Sequence, residues 1–127
     1  MTVLLDTHLV LWWMSGSPGV GPRSRALLSS SSSRYCSAVS IWEIALKKSR
    51  GKLDVVDGFE DQLPSMGMTH LPIDATHAAA VSAVSLPHRD PFDQLLVAQA
   101  QVDGLRLLTA DAAILSAGLE FVLDARE

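Results

Sequence analysis

Four carboxylates stand where a chain of alternating strands and helices would turn: Asp6, Glu43, Asp93 and Asp111. Asp6 closes the apolar run Thr2-Val3-Leu4-Leu5, Glu43 follows Ser40-Ile41-Trp42, Asp93 follows Asp90-Pro91-Phe92, and Asp111 comes just after Leu107-Leu108-Thr109. In a parallel α/β sheet the strand C-termini and helix N-termini share one edge, and ligands bind there. Carboxylates converging on that edge repel one another, and one takes up a proton unless a cation intervenes. An all-oxygen donor set suits Mg²⁺ or Mn²⁺ better than Zn²⁺. A cation held this way polarises a phosphate and acidifies a bound water, which is the chemistry of phosphodiester hydrolysis. His8, His70, His77 and His88 show no zinc-type spacing with Cys36, so each is read as a surface or hydrogen-bonded residue rather than a ligand.

The elements that must carry these acids are legible in the local chemistry. Asp90 is a good N-cap, and Pro91 at the first helical position loses no hydrogen bond. Asp93 then falls in the first turn, on the stripe Asp93, Leu96, Val97, Ala100 that should face the protein. A carboxylate on that face needs a cation or donors. Ser40 and Glu43 have capping-box spacing, which puts Glu43 in a first helical turn and accounts for it without chemistry; metal binding is the second reading. Gly51 ends that helix. Residues 35–39 are a second strand candidate, and residues 55–66 read as a helix around Phe59 and Leu63. Residues 69–73 read as a strand, and Asp74 caps a helix over 75–85. Gly104 stops the Asp90 helix, residues 105–109 form a strand, Asp111 opens a helix over 112–117, and residues 121–123 form a last strand. Residues 15–22, rich in glycine and proline, are a loop, and residues 29–33 are a short serine tract. Strands alternating with helices predict one three-layer α/β domain over residues 1–127, a mainly parallel central sheet flanked by helices.

The totals narrow the function classes. A chain of 127 residues with 48% hydrophobic and 19% charged content is globular. No apolar run reaches a membrane span and no secretory signal is evident; the single Cys36 suits a reducing, cytoplasmic setting. The net charge of −4 argues against a general nucleic-acid binder. Lys47, Lys48, Arg50 and Lys52 nevertheless cluster. They read either as a solvated helix end or as a patch that guides RNA through its phosphates. The adjacent Trp12 and Trp13 point about 100° apart on a helix and cannot both centre one core face.

With these motifs together, the sequence resembles PIN-domain proteins, specifically the VapC-like toxins of bacterial type II toxin–antitoxin pairs. The matching stretches are Leu4-Leu5-Asp6-Thr7-His8, Ser40-Ile41-Trp42-Glu43-Ile44-Ala45, Asp90-Pro91-Phe92-Asp93 and Leu108-Thr109-Ala110-Asp111. The resemblance implies a PIN fold and Mg²⁺-dependent endoribonuclease activity, with Asp6, Glu43, Asp93 and Asp111 in the acidic metal-site roles. It also implies a homodimer and a small cognate antitoxin, and the tryptophans of the first helix are a candidate apolar dimer surface. Thr109 is expected to hydrogen-bond one of the acids. The chain departs from the family pattern at Gln94, where arginine often follows the third acid; Arg89 is the candidate replacement. Two alternatives belong to other classes. A haloacid-dehalogenase-like phosphatase also places an aspartate after its first strand, but it wants a second aspartate where His8 stands. A non-catalytic PIN-like binding module would tolerate loss of an acid, and none is lost.

Overall fold

The computed structural model describes residues 2–30 and 33–127. Its sheet consists of β1 (Thr2–Leu5), β2 (Ser33–Ser37), β3 (Met68–Leu71), β4 (Arg106–Thr109) and β5 (Val122–Asp124). The strand order is β3-β2-β1-β4-β5, and every neighbouring pair is parallel. β1 is therefore central, with Leu5 in register with Cys36 on one side and Leu108 on the other. A strand covered on both faces needs continuous apolar residues rather than alternation, and Val3, Leu4 and Leu5 are completely buried.

The helices are α1 (Thr7–Ser15), α2 (Pro22–Ser30), α3 (Ala38–Ser49), α4 (Phe59–Gln62), α5 (Ala75–Ala80), α6 (Pro91–Asp103) and α7 (Ala112–Ser116). Because successive strand side chains point to opposite faces, β1 and β4 feed two cores. Val3, Leu5 and Leu108 join Leu9, Val10, Leu28, Ile44, Phe59 and Leu63. Leu4 and Leu107 join Val39, Leu96, Val97, Ala100 and Ile114. Helices thus cover both faces of an all-parallel sheet, the three-layer α/β arrangement that the sequence predicts.

Local expectations hold at three helix starts. Asp74, Asp90 and Asp111 each cap a helix, accepting backbone N–H groups of the first turn. Gly104 ends α6 in the left-handed conformation that glycine adopts without strain. Two expectations are corrected. The cap of α3 is Ser37, whose hydroxyl accepts the Val39 N–H, so β2 ends at Ser37 and Ser40 lies inside the helix. Glu43 consequently occupies the second turn, and the capping box does not form. Residues 55–66 are not one helix: Gly58, at φ 74°, precedes a single turn, α4, and Pro64 opens a separate 3₁₀ turn, Pro64–Met66. The helix expected over 75–85 is also shorter, α5 tightening into a 3₁₀ turn at Val81–Ala83. In the serine tract, Ser31 and Ser32 lie outside the described residues.

Candidate active site

Asp6 leaves β1 at the sheet's C-terminal edge and is 2% exposed. It occupies the N-cap position of α1 yet makes no side-chain cap bond. Instead its Oδ2 accepts the hydroxyl of Thr109, from the end of β4. The same Thr109 oxygen accepts the Asp111 N–H at 3.0 Å, so one buried hydroxyl ties two of the acids together. Burial raises the Asp6 carboxyl above its ordinary value; the Thr109 hydroxyl and His8 oppose that shift, and Asp111 and Glu43 add to it.

Glu43 reaches the same edge from the second turn of α3. The Thr7 hydroxyl donates to Ser40 Oγ at 2.9 Å, linking the starts of α1 and α3 and fixing how α3 is turned. Lys47, one turn on, donates to Glu43 Oε2 at 2.8 Å. That bond holds the Lys47 ammonium above its usual pKa, with Asp90 and Asp93 assisting, so Lys47 belongs to the field of the whole acidic group. Trp42 meets Phe92 edge to face with centroids 4.7 Å apart, fastening α3 to the first turn of α6 beside Glu43 and Asp93.

Asp93 is 9% exposed. Burial pushes its carboxyl up to about 7, and Asp90, Asp6 and Asp111 push the same way while His88 opposes them. Asp111 stands between β4 and α7, its Oδ1 accepting Ala113 N–H at 2.9 Å and Ile114 N–H at 3.0 Å. These two amides fix its orientation and leave Oδ2 uncommitted. The four sequence-predicted acids therefore converge: Asp6 feels Glu43 and Asp111, and Asp93 feels Asp6 and Asp111.

The residue that sequence reasoning missed is His88. Its Nε2 lies 3.0 Å from Asp93 Oδ2 and 3.8 Å from Asp111 Oδ1. The pair distance to Asp93 is short, yet the angle is not that of a hydrogen bond, and Nε2 is buried without a hydrogen-bond partner. The available signal was position: His88 stands two residues before the Asp90 cap. The other candidates divide. Lys48 turns away from the acids to Asp57, at 3.0 Å, and to the Val55 carbonyl. Arg89 is exposed and Gln94 half-buried beside Asp93. Beyond Asp111, a cavity of about 320 Å³ is lined by His8, Trp12, Ala110, Asp111 and Ala112.

This donor set fits a divalent cation. Ligand atoms of His88, Asp93 and Asp111 all lie within 4.8 Å of one another. Asp6 and Glu43 stand near enough to act on one another electrostatically, and the upward push on Asp93, due first to burial and then to neighbouring carboxylates, is one that a cation would relieve.

A family model described as PIN domain matches residues 3–118. Ribonuclease VapC22 of Mycobacterium tuberculosis is 26% identical over 118 residues, covering 91% of each chain. A toxin–antitoxin complex from Klebsiella pneumoniae superposes with a TM-score of 0.67 at 19% identity, covering 98% of both chains. VapBC2 from Rickettsia felis, bound to a DNA fragment from its promoter, gives 0.66 at 13% identity over 97% of this chain and 96% of that one. FitAcB from Neisseria gonorrhoeae gives 0.63 at 21% identity over 98% of both. The three structural likenesses concern the fold.

Proposed function

Because the chain belongs to the PIN domain family, we propose that it is a divalent-metal-dependent endoribonuclease and the toxin of a toxin–antitoxin pair. The observation that carries this reading is the convergence of Asp6, Glu43, Asp93 and Asp111 at the C-terminal edge of the sheet, around a buried nitrogen without a partner. The similarity to the ribonuclease VapC22 and the toxin–antitoxin assemblies among the structural neighbours support it.

Asp6, Asp93, Asp111 and Glu43 are the residues that would hold Mg²⁺ or Mn²⁺. When bound, such a cation supplies polarisation of the phosphate and a more acidic water. The chain's own contribution is orientation. Thr109 aims Asp6, two α7 amides aim Asp111, and the α6 N-terminus favours a carboxylate at Asp93. Glu43, steadied by Lys47, aligns the attacking water. Lys47 and Arg89 contact the RNA phosphates, with Arg89 filling the cationic role that Gln94 leaves vacant; Lys48, engaged by Asp57, gives only peripheral attraction. The chain works as one PIN domain over residues 1–127, as a cytoplasmic homodimer, restrained by a small cognate antitoxin. Among the described residues no helix is long and apolar enough to cross a membrane.

The test is cleavage of RNA by purified protein with EDTA, Mg²⁺ or Mn²⁺, beside Asp93→Asn and beside the product of any small neighbouring reading frame. Metal-stimulated cleavage that is lost in Asp93→Asn and blocked by that product is expected. Hydrolysis of phosphomonoesters without RNA cleavage would return the phosphatase alternative; neither activity would leave a binding module.

A further inference from the structure

We propose that His88 is a nitrogen ligand of the metal site and biases it toward Mn²⁺ over Mg²⁺. The proposal rests on the metal-dependent reading above and adds a donor of different chemistry to it. Two observations carry it. His88 Nε2 is buried and has no hydrogen-bond partner, which is costly for a polar atom inside a folded chain. It lies beside two carboxylates on different elements, 3.0 Å from Asp93 Oδ2 and 3.8 Å from Asp111 Oδ1, with all three ligand atoms within 4.8 Å of one another. An ion between them would satisfy all three at once.

The other side of the ring sets the tautomer. Nδ1 has backbone company: the Asp90 N–H approaches it at 3.5 Å, the outer limit of a hydrogen bond. A metal at Nε2 requires the ring proton on Nδ1, as in ligating histidines that donate this N–H to the protein, so loading displaces the weak Asp90 approach. Magnesium favours oxygen donors and keeps its waters, whereas imidazole suits first-row transition ions. One nitrogen among carboxylates therefore discriminates between two ions that the carboxylates alone treat similarly.

The experiment loads the full chain with Mn²⁺ and records pulsed electron paramagnetic resonance for ¹⁴N coupling, beside calorimetric titrations with Mn²⁺ and Mg²⁺. His88→Ala, His88→Gln and His8→Ala are compared with the parent. The parent and His8→Ala should show one directly bound imidazole nitrogen, and both His88 variants should lose it. The Mn²⁺ dissociation constant should rise about tenfold or more in His88→Ala, while that for Mg²⁺ changes by less than about threefold. Melting curves without metal show whether each variant folds, and His88→Gln stands in if the alanine variant does not. Mn²⁺ bound without nitrogen coupling overturns the assignment and leaves the ribonuclease reading standing. Coupling lost in His8→Ala instead assigns the nitrogen to His8 and overturns it equally. If neither ion binds the parent, the metal reading falls and this one with it.

Discussion

His77, Asp74 and Asp103 join α5 to α6, while His88, Asp93 and Asp111 meet between α6 and α7; both groups contain one histidine and two aspartates. In the first, every polar atom of the histidine is used. His77 Nδ1 accepts the Asp74 N–H at 3.1 Å, Asp74 Oδ1 accepts the His77 N–H at 3.0 Å, and Nε2 meets Asp103 Oδ1 at 3.0 Å. In the second, Nε2 has no hydrogen-bond partner, and the Asp93 carboxyl is pushed up to about 7. A closed group of this kind caps one helix and fastens it to another. An open group stores unfavourable desolvation and repulsion that a ligand can relieve. Residue type does not separate the two; completeness of bonding does.

Neutralising one acid in the open group should have the largest effect. Asp93→Asn should lower RNA cleavage at least about a hundredfold and abolish the rise in melting temperature that Mg²⁺ or Mn²⁺ gives the parent. The same change should leave the metal-free protein as stable or raise its melting temperature by roughly 2–6 °C, because one repelling charge is gone. A metal-free Asp93→Asn protein that unfolds yet still cleaves with metal would place Asp93 with the closed group.

Acidity should distinguish the groups next. Folded Asp93 keeps its proton up to about pH 7, whereas the ordinary value, which applies to the unfolded chain, is 3.8. Between those values the folded state binds more protons, so stability of the metal-free protein falls as pH rises through that window. The loss is on the order of 3 kcal/mol by pH 7. It should be flattened by Asp93→Asn or by saturating metal, as measured by urea unfolding across the range. A metal-free stability that climbs from pH 4 to 7 would contradict the open-group account.

His77→Ala tests the closed group. It removes one cap contact and the bond to Asp103, and should cost about 1–3 kcal/mol. Metal-induced stabilisation and cleavage per folded molecule should stay at parent values; a changed metal affinity would break the comparison. Asp90→Asn should do least. Asparagine caps as well as aspartate, so stability should move by less than about 0.5 kcal/mol and most cleavage should persist. Lost metal binding in folded Asp90→Asn would show that Asp90 is a ligand as well as a cap.

The legible parts of the sequence were those governed by neighbours in the chain. Asp74, Asp90 and Asp111 cap helices because a cap needs only amides two or three residues on. The apolar run of β1 announces a strand buried on both faces. Ser40 misled because Ser37 offers the same chemistry one turn earlier, and the choice is made by a contact from Thr7, 33 positions away. His88 was opaque for a related reason. It precedes its helix, so no periodicity reports on it, and what gives it meaning is Asp111 on the far side of β4. Residues 55–66 carried helical spacing at Phe59 and Leu63, but Gly58 and Pro64 break the backbone on either side of one turn.

The position of β1 at the centre of the sheet has a consequence for the growing chain on the ribosome. β1 is made before β4 and cannot be flanked on both sides until β4 emerges, about a hundred residues later, and the Thr109 hydroxyl that holds Asp6 arrives only then. Contacts this far apart in sequence form late and must overcome a loop-closure cost. The acidic edge therefore cannot assemble on a partly synthesised chain. A fragment terminated before β4, or one cut between α3 and α6, is a product without the edge, so synthesis itself delays the edge until β4 and Asp111 exist.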